Sequence, residues 1–288
     1  MIKSDPNIDA ELGYAEAIKL AKIHYENFPV VSLLIPRKFK NDVAIIYWFA
    51  RTADDFSDEG NYTDTERLEK LQTFELRLTS LINSEPKDHF EAALKKTIID
   101  RKLNPENFFN LIKAFKQDVV QNRYQKFDDV LDYCSNSANP VGRLLLELFN
   151  INDENAVNFS DKICTALQIT NFIQDTQIDF LKGRIYYPFE DMERFKVDEK
   201  VFEMRGNNLN LKKLIEFSVN RVQEYFNEGK SLLEFLSGRF KYEIAWTIRG
   251  GEEILNKIRG VDFDVISQRP YLTKTDYIKI FIKSFFDH

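Results

Sequence analysis

Cysteine is nearly absent from this 288-residue chain, since Cys134 and Cys164 are its only two. A disulfide framework is therefore excluded, and a reducing, cytoplasmic setting is expected. A basic excess is missing as well. Forty Lys and Arg stand against 46 Asp and Glu, and the net charge of −6 argues against a nucleic-acid partner. Long apolar runs are also missing. AIIYWFA at 44–50 falls far short of the roughly 20 residues that a bilayer span needs. The opening MIKSDPNIDAELGY lacks the apolar stretch of a secretory signal, so none is expected. Strand alternation is nowhere sustained and no repeat of solenoid length occurs. Nor does any G-x-G-x-x-G follow a strand, which removes the usual nicotinamide fingerprint.

What remains is helix. Apolar residues make up 43% of the chain and 25 residues are Phe, enough to build a large core or line a large apolar pocket. Pro29, Pro36, Pro86, Pro105, Pro140, Pro188 and Pro270 lie where helices are expected to join. Between them apolar residues recur at three and four, as in Leu211, Leu214, Ser218, Val222, Tyr225 and Phe226. Asn104-Pro105-Glu106 and the region of Asp161 carry helix-start residues. The stretch GRIYYP at 183–188 is the one extended connection. The expectation is a single all-α domain over 1–288, with a central cavity between its helices.

Two acidic motifs stand about 120 residues apart on segments with helical patterning. The first is Asp54, Asp55, Asp58 and Glu59, in ARTADDFSDEG. The second holds Asp175 and Asp179, in TNFIQDTQIDFLKGRIYYP. In each, two aspartates four residues apart share one helix face, where like charges repel. Flanked by apolar residues, such pairs make sense facing each other across a cavity and holding divalent cations. Carboxylate sites that keep open positions for substrate phosphates suit Mg²⁺, so a diphosphate ester is the expected ligand. Taken alone, either run also fits the solvated acidic end of an ordinary helix.

On one helix over 163–180, Gln168, Asn171, Asp175 and Asp179 form a polar stripe in which Asn171 adds a neutral oxygen to the two carboxylates. Lys182 and Arg184 follow, with charges suited to a diphosphate, and then Tyr186 and Tyr187. In the first motif Tyr47, Arg51, Asp54 or Asp55, and Asp58 run down one face, with Arg51 a turn before the carboxylates. Asp128 and Asp129 lack a second pair at helical spacing and are expected at the surface or in a cap. Loss of diphosphate from an allylic substrate leaves a carbocation, which needs a dry, aromatic-lined pocket.

The chain resembles the squalene/phytoene synthase family. The likeness runs through HYENFPVVSLLIP, IYWFARTADDFSDEG, YCSNSANPVGRLLLELF and LQITNFIQDTQIDFLKGRIYYP. Within the family it is most similar to the bacterial hydroxysqualene synthases of hopanoid pathways, on YCSNSANPVGRLLL and TNFIQD. The resemblance implies an all-α isoprenoid synthase fold, Mg²⁺, and a farnesyl, geranylgeranyl or presqualene diphosphate substrate. It implies that Asp54, Asp58, Asn171, Asp175 and Asp179 bind metal, the four aspartates being the catalytic set. His24, Tyr25, Glu26, Asn27, Tyr47, Arg51 and Gln168 fall where the family contacts the prenyl diphosphate. Tyr133, Val141, Gly142 and Leu145 fall on the helix that lines its tail pocket. Gln174, Lys182, Arg184 and Tyr186 complete the expected substrate contacts.

One departure bears on the reaction. Squalene and phytoene synthases usually carry Arg and Glu where this chain has Gln174 and Ile178. Without the Arg a second diphosphate should bind weakly, which suits an enzyme taking one presqualene diphosphate. The function expected is conversion of presqualene diphosphate and water to hydroxysqualene and diphosphate, by a carbon–oxygen lyase. The alternatives are a head-to-head coupling enzyme making squalene, dehydrosqualene or phytoene, and a non-catalytic assembly factor. A lipid-like substrate brings with it the expectation of peripheral membrane contact and of partner enzymes in the same pathway.

Overall fold

In the computed structural model, residues 8–23, 36–203 and 208–286 are described, and every regular element among them is helical. Backbone contacts divide the chain into two compact units, 1–120 with 140–152, and 121–139 with 153–288.

The first unit contains α1 (Ala10–Ile23), α2 (Lys40–Asp58), α3 (Asp64–Asn83), α4 (His89–Arg101) and α5 (Glu106–Val120). Most of α7 (Asn139–Leu148) belongs to it as well. Its core helix is α2, where Val43, Ile46, Phe49 and Ala53 recur at three or four and are all buried. Phe49 meets Phe74 of α3 at 4.8 Å and Phe108 of α5 edge-on at 5.0 Å. Burying one such ring contributes about 1.5–3 kcal/mol. The one carboxylate buried in the first turn of α2, Asp42, is satisfied rather than stranded. It accepts from Arg101 Nε at 2.9 Å and from Thr97 Oγ1 at 3.2 Å, and Thr97 in turn meets Tyr14 of α1 at 2.8 Å. α3 opens on a capping box, Thr63 with Glu66. α5 begins as expected, with the Asn104 side chain accepting from Glu106 N at 3.1 Å.

The second unit is built on α6 (Phe127–Ser137), α8 (Glu154–Gln174), α9 (Thr176–Leu181), α12 (Leu209–Gly229) and α13 (Gly238–Gly260). Short helices α10 (Phe189–Arg194) and α11 (Lys200–Glu203), and α14 (Lys274–Phe286), complete it. Leu211, Leu214, Ser218, Val222 and Phe226 form the buried stripe of α12, as their spacing anticipates. α8 packs closely on α12 and α13. A Cβ on Gly251 would stand 2.5 Å from the Phe226 ring and 2.9 Å from Leu167. Asp161 lies inside α8 rather than at its start, because Asp153 is the cap, accepting from Asn155 N and Ala156 N. Asp129 serves the cap of α6, accepting from Gln125 N and Lys126 N.

Candidate active site

The first acidic motif occupies the last two turns of α2. A helix C-terminus carries partial negative charge, so Asp54, Asp55, Asp58 and Glu59 crowd four carboxylates where a helix least tolerates them. Cations compensate. Arg51 Nη1 lies 3.0 Å from Asp54 Oδ2, and Nη2 lies 2.7 Å from Asp55 Oδ1 and 3.6 Å from Glu59. Arg67 of α3 donates to the end carbonyls of Phe56, Glu59 and Gly60 at 3.4, 3.0 and 2.9 Å. The Asp54 and Asp55 side chains keep about two-fifths of their surface open, at 38% and 41%. Arg51 itself is only 22% exposed, so its guanidinium is largely shielded where it meets these carboxylates. Tyr47 is half-buried one turn before Arg51. Burial pushes its phenol up, Arg51 pulls it down, and Asp54 and Asp55 push it up further.

The second motif is not on one unbroken helix. α8 ends at Gln174, Asp175 takes φ −99° and ψ 14°, and α9 starts at Thr176. Beside the break, Thr176 Oγ1 donates to the carbonyl of Ile173 at 2.8 Å and lies 3.2 Å from that of Phe172. The stripe survives the break. Asp175 N donates to the Asn171 carbonyl and Asp179 N to the Asp175 carbonyl, both at 2.8 Å, which preserves the four-residue register. Asn171 is exposed, and Gln168, Asp175 and Asp179 are half-buried. α9 closes with Arg184 N donating to the Asp179 carbonyl at 2.8 Å, made possible by Gly183 at φ +81°. That turn presents Lys182, exposed, and Arg184, half-buried, directly after the acidic stripe.

The extended stretch 183–188 is held by a main-chain bond from Ile185 N to the Asn122 carbonyl, and Phe189 N and Glu190 N donate to the carbonyls of Tyr124 and Gln125. Tyr187 is buried, its hydroxyl 2.8 Å from Thr176 Oγ1, and burial raises its phenol. Tyr186 stacks on Phe172 of α8 at 3.6 Å with planes 3° apart. Tyr133 joins them, 5.9 Å from Phe172 and 6.0 Å from Tyr186. Two residues separated widely in sequence, Tyr133 and Tyr186, thus enter one aromatic cluster.

Other sites fall differently from the sequence reading. Tyr133 is on α6 while Val141, Gly142 and Leu145 are on α7, because the chain breaks at Ala138, so these four do not share a helix. Gln174, expected among the substrate contacts, is buried, with its Nε2 donating to the Pro270 carbonyl at 2.7 Å. Ile178 is exposed. His24, Tyr25, Glu26 and Asn27 lie outside the described residues. The sequence reading missed Arg269, whose Nε donates to Asp175 Oδ1 at 2.5 Å from 94 residues away. Local spacing holds no signal for such a partner.

A family description of squalene/phytoene synthases matches residues 21–276. The chain belongs to the squalene/phytoene synthase family. A hydroxysqualene synthase from Zymomonas mobilis is 37% identical over 183 residues, 62% of this chain and 60% of that one. The chain thus aligns with about three-fifths of that relative's length. A hydroxysqualene synthase from Rhodopseudomonas palustris is 27% identical over 269 residues, 92% and 89% of the two chains. The crystal structure of the squalene synthase HpnC from Alicyclobacillus acidocaldarius superposes with a TM-score of 0.83 at 34% identity, covering 88% of this chain and 96% of that one. The all-α isoprenoid synthase fold expected from the sequence is therefore the one found.

The squalene/phytoene synthases are a family of synthases that process prenyl diphosphates. The donor chemistry of this chain's two motifs fits a divalent cation. They offer hard carboxylate and amide oxygens, partly open to solvent, beside charge that arginines now offset. Among the described residues, no three His, Cys, Asp or Glu side chains are grouped closely enough to hold a metal as they stand. Arg51 pairs with Asp54 and Asp55, and Arg269 pairs with Asp175. Among the described residues no helix is long and apolar enough to cross a membrane.

Proposed function

We propose that this protein converts presqualene diphosphate and water to hydroxysqualene and diphosphate, with residues 1–288 acting as one catalytic domain. The observation that carries the reading is the state of the second motif. Its aspartates and Asn171 are in register, while Gln174, at the position that holds Arg in coupling relatives, is turned into the protein. Similarity to hydroxysqualene synthases over most of the chain supports it.

Asp54, Asp58, Asn171, Asp175 and Asp179 would hold Mg²⁺, which when bound supplies positive charge to the diphosphate as it leaves. Arg51, Lys182 and Arg184 bind and orient the diphosphate oxygens by charge-assisted hydrogen bonds. The ester C–O bond breaks with both electrons going to the diphosphate, which leaves a cyclopropylcarbinyl cation. The ring faces of Tyr133, Phe172 and Tyr186 exclude bulk water and stabilise positive charge, at about 0.5–2 kcal/mol for each favourable contact. After rearrangement one water oxygen bonds to the cationic carbon and gives up a proton, forming the alcohol. The lipid-like substrate makes peripheral contact with a membrane, and exchange with neighbouring pathway enzymes, part of the same reading.

The test is product analysis by mass spectrometry with farnesyl and presqualene diphosphates offered separately, with and without a nicotinamide cofactor. Hydroxysqualene from presqualene diphosphate alone supports the reading. Efficient coupling of farnesyl diphosphate would instead favour the squalene, dehydrosqualene or phytoene synthase alternative, for which a Synechocystis 15-cis-phytoene synthase 25% identical over 279 residues gives some support. No release of diphosphate from either substrate would favour a non-catalytic assembly role, against which both intact acidic motifs stand.

A further inference from the structure

Two neighbouring residues at the end of α8 grip two neighbouring residues before α14. Gln174 Nε2 donates to the Pro270 carbonyl at 2.7 Å, and Asp175 Oδ1 accepts from Arg269 Nε. The two bonds differ in setting. The first is buried, as are Gln174 and Pro270. The second is open, with the Arg269 side chain 49% exposed and that of Asp175 29%. An exposed arginine has many rotamers to lose and gains little from such a pair, so its placement needs help from the backbone. Pro270 gives that help. Its ring fixes its own φ and confines the preceding residue, Arg269, to extended backbone. Once the Pro270 carbonyl is pinned, the direction in which Arg269 leaves the chain is pinned too.

We propose that Gln174 is a positioning residue: through the Pro270 carbonyl it fixes the Arg269 guanidinium at Asp175, so that a cation reaches the second acidic motif from 269 instead of from 174. Gln174 touches no substrate in this arrangement. The neutral amide at 174 is what makes the arrangement possible, because it can be buried and still donate to a carbonyl without carrying charge inside. The consequence for binding rests on the reading that this motif serves a diphosphate. The positional claim rests only on the two bonds.

The experiment uses the full chain labelled with ¹⁵N-arginine. A constrained Arg269 Nε–H gives a resonance displaced from that of solvated arginines, assigned by its loss in Arg269→Lys. In Gln174→Met, which keeps the side-chain volume and removes the donor, that resonance should move to the solvated position while the helical circular dichroism is unchanged. Should Gln174→Met fail to fold, Gln174→Leu, which also lacks a donor and does not overfill the site, is expected to release Arg269 likewise. In parallel, inorganic pyrophosphate is titrated calorimetrically at fixed Mg²⁺. Gln174→Met should weaken binding about tenfold, the scale of one charge-assisted contact, and add nothing on top of Arg269→Gln. An unmoved Arg269 resonance, or losses that add in the double variant, would overturn the proposal. If the unmodified protein bound no pyrophosphate, the diphosphate reading would fall, and the resonance alone would still decide whether Gln174 positions Arg269.

Discussion

Arg51 and Asp55 meet at 2.7 Å on consecutive turns of α2, and the same guanidinium holds Asp54 at 3.0 Å. One arginine thus offsets part of the charge of an acidic helix terminus whose dipole already points the wrong way for carboxylates. At the second motif Arg269 does the same for Asp175. Each motif thus has an arginine paired with one or more of its carboxylates.

The first prediction concerns the carboxylates of the two motifs. Ala at Asp54, Asp58, Asp175 or Asp179 should lower diphosphate release about a hundredfold or more, since bound metal supplies several kcal/mol of leaving-group stabilisation and each 1.36 kcal/mol is about tenfold. Helix content should stay unchanged, and EDTA should reproduce the loss in the unmodified protein. Arg51→Gln should raise KM while helix content stays unchanged. A diphosphate-release assay beside circular dichroism checks all of these. Full activity in EDTA, or in an Asp175→Ala, Asp179→Ala double variant, would rule out the metal assignment.

Water entry is the second. Hydroxysqualene formed in ¹⁸O-labelled water should carry the label on its hydroxyl, because the oxygen arrives by capture of a cation. Mass spectrometry of the product reads this directly. Unlabelled oxygen would point to internal return from the diphosphate.

Helix packing gives the third. A Cβ at Gly13 of α1 would stand 2.1 Å from the His89 carbonyl oxygen, and one at Gly251 would stand 2.5 Å from the Phe226 ring. Gly13→Ala meets backbone, so α1 and the start of α4 must separate. Gly251→Ala meets a ring and the end of Leu167, which can shift. Overpacking of the second kind costs about 1–3 kcal/mol, and Gly13→Ala should cost more. Urea unfolding of the two variants side by side measures the order.

Acid should loosen α14, the fourth prediction. Asp276 accepts from Lys257 at 2.8 Å and from Thr273 N and Oγ1 at 2.8 and 2.6 Å. Lys257 first, then Thr273, holds its carboxyl far below the usual range. A depressed folded value contributes stability that is fully present above the unfolded carboxylate range, about pH 4, and is lost as pH falls through the folded value. Protection of the α14 amides, their exchange measured against the intrinsic rate at each pH, should therefore fall below about pH 4. In Asp276→Asn that protection should already be low at neutral pH and lose most of its acid dependence. An acid response unchanged by the substitution would show that another group is responsible.

The sequence by itself determined the elements. Helix starts such as Asn104–Glu106, the α12 stripe, the cap at Asp129 and the extended 183–188 are written in residues a few positions apart, because caps and i,i+4 contacts act over a single turn. It also set Asp54 with Asp58, and Asp175 with Asp179, in four-residue register, and the backbone kept that register even across the break at Asp175. Only the tertiary structure decided what the polar side chains do. Whether Asp161 caps a helix depended on Asp153 getting there first. Gln174 is expected from the sequence among the substrate contacts, and in the fold its amide donates to a carbonyl 96 residues away. Arg269 reached Asp175 from a segment with no local motif. A buried donor takes whichever acceptor the packed chain brings within 3 Å or so, and that choice is made between distant segments, where sequence periodicity carries no information.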